Sequence, residues 1–433
     1  MKWLNDDRLG AIAALRRKLA ASHEVAPQAD GRRGGRDRLA ELVGGTIERN
    51  RYGEFLRVRR WLAQPEPCTQ PQALGLVAKP EPAAEVLGEI GRSDGWLFLD
   101  TETTGLAGGT GTCAFLVGLA WWEAGGLAIE QLFLRDYAEE HAVLLALAER
   151  LEARRVLVTF NGKSFDWPLV ETRFRLTREI EPQPPQAHLD LLHPARQLWR
   201  LQLGSVRLTA LERGVLGIER GPDLLSELIP QMYFDYLRGA GPEPLGQVFR
   251  HNQMDLAGLA ALAGHLARLL VAPEGAEPLE LYGLSRLFER RGERARARHL
   301  YEMALDAGLP AMLRRAAQRR LARIARRDGE RAVANSLWRE LAQEDPEDTN
   351  AEGSAERREL LETILEACEQ MAIHYEHAAH DPAEAAAWTR RALGVLAEAE
   401  GIDRRFRLRW QERLDRRSER LRQGGREGSL PAA

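Results

Sequence analysis

Cysteine and long apolar runs are scarce in this chain of 433 residues. Its three cysteines, Cys68, Cys113 and Cys368, are scattered and form no Cys-x-x-Cys pair, which argues against a cysteine-based zinc site and fits a reducing compartment. No run of about 18 apolar residues occurs, so no transmembrane helix is expected. The N-terminal sequence MKWLNDDRLG has two aspartates where a signal peptide would be basic and then apolar. We therefore expect a cytoplasmic protein without a membrane partner.

A large net charge is also absent, but the neutral total conceals an uneven distribution. The chain has 61 Lys and Arg against 64 Asp and Glu. Residues 1–62 and residues 286–331 are both strongly basic, so the rest of the chain is acidic. This distribution suits phosphate-binding surfaces outside a carboxylate-rich metal site, although arginine-rich helices are as often solvated faces.

Periodicity and composition divide the chain into four parts. Residues 1–93 predict an amphipathic helix at 5–22, a Gly- and Pro-rich linker, and a possible β-hairpin extension at 44–62. Residues 94–272 predict an α/β domain, in which short apolar strands and helices follow the order β-β-β-α-β-α. Residues 276–424 predict an all-α domain of helical repeats, and residues 425–433 a disordered tail.

The helical part contains two related segments. Three positions of the first segment recur 37 residues later: Gly292 and Gly329, Ala297 and Ala334, Tyr301 and Trp338. A Gly-containing turn followed by Ala-x3-aromatic resembles the helix-turn-helix units of tetratricopeptide (TPR) repeats. Five arginines of the first segment predict a stripe that contacts a DNA backbone: Arg290, Arg291, Arg294, Arg296 and Arg298.

The segment FLDTETTG supplies the first candidate catalytic residues. Asp100 and Glu102 stand two residues apart at the end of an apolar strand, so both side chains point to one face. Two acids on one face of a buried strand require a cation nearby. Thr103, Thr104 and Gly105 then open a glycine-rich turn where we expect nucleic acid to approach.

The segment TFNGKSFDWP forms a second motif between a strand and a helix. Asp166 is a candidate third metal ligand, and it is also well placed to cap the following helix. Asn161 is a candidate contact to nucleic acid, and Lys163 is a candidate contact to a phosphate, with solvent exposure as the alternative. Phe165 is a candidate platform for a terminal base, with core packing as the alternative.

The segment RHNQMDLAGLAALAGHL forms the third motif. His251 and Asp255 are four residues apart, hence on one face of a largely apolar helix. Asp255 is a candidate metal ligand, and His251 can take a proton from an attacking water.

Together the three motifs resemble those of the DEDD superfamily of 3′→5′ exonucleases, which have an RNase H-like fold. The resemblance implies two Mg²⁺ or Mn²⁺ ions held by Asp100, Glu102, Asp166 and Asp255, with His251 as general base. HNQMD has the spacing H-x3-D, whereas the histidine branch of the superfamily usually has H-x4-D. GLAGGTGTCAFLVG, LTALERGVLGIER and the HN-x2-D helix further resemble the bacterial YprB-like group, which includes a mitomycin repair factor.

The resemblance to that group implies DNA excision repair alongside a DExH-type helicase partner. Two alternatives stay open on the residues alone. One is a 3′→5′ exoribonuclease, because carboxylates act on the phosphate common to DNA and RNA. The other is a scaffold whose TPR-like repeats bind a protein partner while the nuclease core is inactive.

Overall fold

The computed structural model describes residues 38–78, 81–105, 111–221, 224–346 and 354–427. Contacts divide the chain into two compact units, with the boundary between Glu274 and Gly275. The helix predicted at residues 5–22 lies outside the described residues. So does the tail predicted at 425–433, except that residues 425–427 belong to the last helix.

A seven-stranded mixed sheet forms the centre of the first unit. Its strands are β1 (Thr46–Asn50), β2 (Gly53–Leu62), β3 (Trp96–Thr103), β4 (Ala114–Glu123), β5 (Gly126–Phe133), β6 (Val156–Thr159) and β7 (Ala187–Asp190). The order across the sheet is β1-β2-β5-β4-β3-β6-β7. Strands β3, β4 and β5 form the predicted antiparallel meander, while β6 and β7 continue the sheet in parallel.

Two parts of this sheet depart from the sequence expectation. The hairpin at 44–62 is not an appendage, because β2 pairs with β5 along seven residues and so extends the same sheet. Strand β7 had no counterpart in the prediction. Four residues are too few to show an alternating pattern, and only pairing with β6 makes this segment a strand.

Helices cover both faces of the sheet. They are α1 (Ala84–Ile90), α2 (Glu140–Ala153), α3 (Asp166–Thr177), α4 (Leu192–Leu203), α5 (Leu208–Leu211), α6 (Ile229–Leu237) and α7 (Glu243–Val271). Two neighbouring residues of β5 contact helices on opposite faces of the sheet, because successive side chains of a strand point to opposite faces. Glu130 pairs with Arg150 of α2, whereas Gln131 hydrogen-bonds to Asn252 of α7.

Helix α7 is long and apolar enough to cross a membrane by length and composition alone. It packs against β3, β4 and β5, and most of its apolar residues are buried in the core. Burial against the sheet therefore accounts for its apolar character, as in other core helices.

The second unit is all-helical in its described part. It contains α8 (Pro278–Arg290), α9 (Arg294–Asp306), α10 (Ala311–Arg327), α11 (Arg331–Gln343), α12 (Ser354–His377), α13 (Pro382–Glu398) and α14 (Arg404–Glu427). The residues predicted to recur occupy matching places. Gly292 (φ 79°) and Gly329 (φ 84°) both turn the chain in the left-handed region, where glycine has no steric penalty. Tyr301 and Trp338 are both fully buried.

Most arginines of the predicted DNA-binding stripe have acidic neighbours. Arg291 lies 3.4 Å from Glu293, and Arg294 lies 3.3 Å from Asp328. Arg298 contacts Glu302 of its own helix and Glu330, the residue directly before α11. The stripe therefore carries less unpaired positive charge than the sequence predicts, and some of these pairs link neighbouring helical elements.

Candidate active site

Strand β3 carries the first two acids to the middle of the sheet. Its residues Trp96–Leu99 are buried and apolar, and Asp100 follows, paired across the sheet with Gly118 of β4. The register shifts between Glu102 and Thr103, where the strand ends. Apolar packing fixes the strand, so the two carboxylates are held half-buried at its end.

Asp166 is the first residue of α3, directly after the turn that follows β6. Its Oδ1 accepts hydrogen bonds from the backbone amide (3.1 Å) and the hydroxyl (2.6 Å) of Thr101. The residue at the helix N-cap is Phe165, and no side chain caps the helix there. The carboxylate is therefore held against β3 at the start of α3.

Helix α7 places His251 and Asp255 one turn apart, and both are largely buried. His251 Nε2 lies 3.4 Å from Asp255 Oδ2, while Arg220 lies 2.6 Å from Asp255 Oδ1. Burial alone would lower the pKa of Arg220, but hydrogen bonds to Glu212 and the charge of Asp255 raise it overall. Arg220 is thus a permanent cation beside Asp255.

The four acids lie close enough to repel one another. Burial raises the pKa of Asp100 well above its usual range, and the charges of Asp255, Asp166 and Glu102 raise it further. Burial also raises the pKa of Asp166. Like charges gathered in a partly buried place favour protonated carboxyls until a cation balances them. The fold therefore brings together the four acids that the sequence singled out.

A buried amide network supports Asp100 and was missed by the sequence reasoning. Asn252 donates to Asp100 Oδ2 (2.8 Å), and its own Oδ1 accepts from Gln131 Nε2 (2.8 Å). Asn252 and Gln131 are fully buried. Gly118 leaves room for this network, because a Cβ there would lie 2.1 Å from Asn252 Oδ1. The only sequence signal was an Asn next to His251.

The turn after β6 brings three more predicted residues beside Asp166. Asp190 of β7 accepts from the backbone amides of Asn161 (2.8 Å) and Lys163 (3.1 Å), so it shapes the turn. Asn161 has a positive φ of 69°. Burial lowers the pKa of Lys163. Phe165 is 58% exposed, which excludes the core-packing alternative for its side chain.

The predicted glycine-rich turn is described only in part. Thr104 pairs with Cys113 through its backbone and its hydroxyl, and Thr103 donates to the carbonyl of Gly105 (2.9 Å). These bonds hold Thr103, Thr104 and Gly105 in a compact turn directly after Glu102. Residues 106–110 lie outside the described part.

Comparisons with known proteins address the fold. Residues 97–267 match the family model described as RNase_H superfamily. Residues 97–267 form an RNase H-like domain. The chain is also 37% identical over 194 residues to "Uncharacterized protein YprB" of Bacillus subtilis (strain 168), a match that covers 44% of this chain and 47% of that protein. The chain thus spans less than half of that relative's length.

These matches confirm the predicted RNase H-like sheet with flanking helices, and the similarity to YprB. The matched range of the RNase H-like domain contains all four acids and His251. The comparisons do not extend to the class of the helical repeats.

The donor set of the RNase H-like domain fits divalent cations. Carboxylate oxygens are the ligands that Mg²⁺ and Mn²⁺ prefer in proteins. Within the described ranges, no three His, Cys, Asp or Glu side chains meet closely enough to hold an ion as they stand. Three of the four acids instead face a hydrogen-bond donor, namely Asn252 for Asp100, Thr101 for Asp166 and Arg220 for Asp255.

Proposed function

We propose that the RNase H-like domain is a metal-dependent 3′→5′ exonuclease of the DEDD type that acts on DNA. The observation that carries the proposal is the gathering of Asp100, Glu102, Asp166 and Asp255, where burial and then mutual repulsion raise the pKa of Asp100. Such a cluster is unfavourable without cations, and hydrolysis of phosphodiesters by two metal ions requires one.

Each residue of the proposed site has a distinct task. The four acids would hold two Mg²⁺ or Mn²⁺ ions, which supply Lewis-acid activation of water and stabilisation of the leaving oxygen when bound. His251 would accept the proton of the attacking water, and its ring lies beside Asp255, with 3.4 Å between His251 Nε2 and Asp255 Oδ2. The water oxygen bonds to phosphorus while the bond between phosphorus and the 3′ oxygen breaks. The departing 3′ oxygen takes up a proton, and a nucleoside 5′-monophosphate leaves.

The residues around Asp166 suit the binding of the terminal nucleotide of a DNA strand. The exposed ring of Phe165 offers a flat apolar face on which a terminal base can stack. Lys163, two residues earlier, supplies a positive charge for a phosphate. The compact turn directly after Glu102 would contact the sugar-phosphate backbone through Thr103, Thr104 and Gly105.

The choice of DNA and of a repair role follows the YprB-like resemblance. We propose that a DExH-type helicase exposes the strand and that the helical unit binds a protein partner, as TPR-like hairpins commonly do. The three cysteines are buried free thiols, which suits the reducing cytoplasm as the place of action.

A degradation assay with 3′- and 5′-labelled DNA and matching RNA tests this proposal. We expect stepwise loss from DNA 3′ ends with Mn²⁺ or Mg²⁺ and none with EDTA or with Asp100→Asn. The matched control is Asp94→Asn, an exposed aspartate just before the same strand, which should leave the rate unchanged. Preference for RNA would favour the exoribonuclease. Wild-type protein as inactive as Asp100→Asn on every substrate would favour the scaffold.

A further inference from the structure

Arg220 and Glu212 form a buried ion pair next to Asp255. The guanidinium of Arg220 contacts Asp255 Oδ1 (2.6 Å) and also donates to Glu212 Oε1 (2.6 Å). The side chains of Arg220 and Glu212 are only 6% and 2% exposed. Both residues belong to the segment LTALERGVLGIER, which carries none of the three exonuclease motifs.

The fold holds Glu212 rigidly. It begins a turn of π-helix (Glu212–Leu216), a rare geometry that often marks functional positions. Its carboxylate lies against α7 at Gly258, where a Cβ would be 1.8 Å from Glu212 Oε1. The missing side chain at Gly258 therefore makes room for the acid that anchors Arg220.

The contact with Arg220 limits which oxygen of Asp255 is available to a cation. Oδ1 is occupied by Arg220, and Oδ2 faces His251 Nε2. A carboxylate fixed in this way presents one oxygen, in one orientation, beside the histidine. Ligand-orienting partners of this kind govern the affinity of metal sites.

The charges of this extended cluster also balance. Counting formal charges, Asp100, Glu102, Asp166, Asp255 and Glu212 carry five negative charges and Arg220 one positive. Two divalent cations would neutralise the four charges that remain. Without Arg220, the same cluster would hold a surplus negative charge in a largely buried place.

We propose that Glu212 and Arg220 form a positioning unit that fixes Asp255 for cation binding through a single oxygen next to His251. The inference rests on the proposed function, since it concerns the same acids. It predicts that the pair strengthens metal binding, although a positive charge near a cation site would by Coulomb's law alone weaken it.

Calorimetric titration of the full chain with Mn²⁺ tests the positioning unit, with binding measured apart from catalysis. We expect Arg220→Gln to weaken Mn²⁺ binding by about 10- to 100-fold, the usual effect of losing a ligand-orienting partner. Arg220→Lys keeps the charge and should recover part of the affinity. The matched control is Arg213→Gln, an exposed arginine in the same π-helical turn.

Two further measurements guard against loss of folding and of the proposed function itself. The double variant Glu212→Gln/Arg220→Gln removes both buried charges together, and circular dichroism in EDTA reports whether it folds. We expect it to fold and still bind Mn²⁺ weakly, with a lower kcat and an unchanged KM for the oligonucleotide. Mn²⁺ binding by Arg220→Gln or the folded double variant as tight as wild type would overturn the inference. Wild-type protein that binds no Mn²⁺ would instead refute the proposed function.

Discussion

The two units of the chain use charged residues in opposite ways. In the helical unit, opposite charges are paired between helices: Arg298 lies 2.6 Å from Glu330, and Arg320 lies 2.6 Å from Glu289. In the RNase H-like domain, four acids are gathered near the end of β3, where burial and then their mutual repulsion raise the pKa of Asp100. Exposed ion pairs contribute little to the stability of the fold. Like charges held close together reduce that stability until a cation binds to them.

The difference shows where function is to be sought. Arginine-rich helices drew attention to the second unit as a DNA surface, but their ion pairs cancel much of that charge. The four acids of the proposed site instead act on one another through their charges, and Arg220 lies beside Asp255. Unbalanced charge held in place by a fold is a better guide to chemistry than the amount of charge in a segment.

The largest effect on stability is expected in the helical unit, from packing. Trp338 is buried at the centre of its apolar core. Trp338→Ala should cost about 3–5 kcal/mol, since it leaves a large cavity. Urea denaturation followed by circular dichroism measures the loss. A change below about 1 kcal/mol would mean that ion pairs, and not packing, hold this unit together.

In the RNase H-like domain, the largest expected effect is on activity. Gly118→Ala would place a methyl group within 2.1 Å of Asn252 Oδ1 and push Asn252 away from Asp100. We expect kcat to fall by about 100-fold, because a shift of about 1 Å in a catalytic group has that effect. Gly95→Ala is the control, since nothing lies within 4 Å of a Cβ there. Equal rates for both variants would remove Asn252 from the proposed site.

A smaller effect is expected on the pH dependence of stability, because the four clustered acids destabilise the folded protein when they are charged. Because the pKa of Asp100 is raised, the folded protein holds this proton more tightly than the unfolded chain does. The stability gained is present below the unfolded value of about 3.9 and lost as pH rises through the raised pKa. In EDTA at neutral pH, Asp100→Asn should therefore melt at a higher temperature than wild type.

Melting curves with and without Mn²⁺ complete this test. Mn²⁺ should raise the melting temperature of the wild type and of Asp94→Asn, but have little effect on Asp100→Asn. Identical melting of wild type and Asp100→Asn in EDTA at every pH would show that the acids do not repel one another as inferred.

The smallest effect is expected from a paired arginine of the helical unit. Arg298 pairs with Glu302 and Glu330, and all three side chains are about a quarter to a half exposed. Arg298→Gln should cost less than about 1 kcal/mol, and the cost should shrink further in high salt. Urea denaturation at two salt concentrations checks this, and a salt-independent loss of several kcal/mol would contradict it.

Local patterns predicted much of the molecule. The spacing of Asp100 and Glu102 places them on one face of a strand, and that of His251 and Asp255 places them on one face of a helix. The recurrence of Gly292 at Gly329 predicted two helical hairpins, which the structure contains. These features depend on residues a few positions apart, so periodicity alone reveals them.

The supporting residues could not be predicted in this way. Asn252 and Gln131 are 121 positions apart, and their hydrogen bond depends on α7 packing against β5. Arg220 contacts both Glu212 and Asp255, and Glu212 begins a π-helical turn that lies against Gly258 of α7. The sequence around a polar residue does not indicate a hydrogen-bond partner that is so far away in the chain.

The sequence by itself thus determined the types of elements, the acids at the ends of strands and helices, and the hairpins of the second unit. Tertiary structure decided that the β-hairpin joins the main sheet, that the arginines of the helical unit are paired, and which amides and charges support the four acids. The physical reason is range: backbone geometry and apolar periodicity act within a few residues, whereas repulsion and hydrogen bonding act between whichever groups the packed chain brings together.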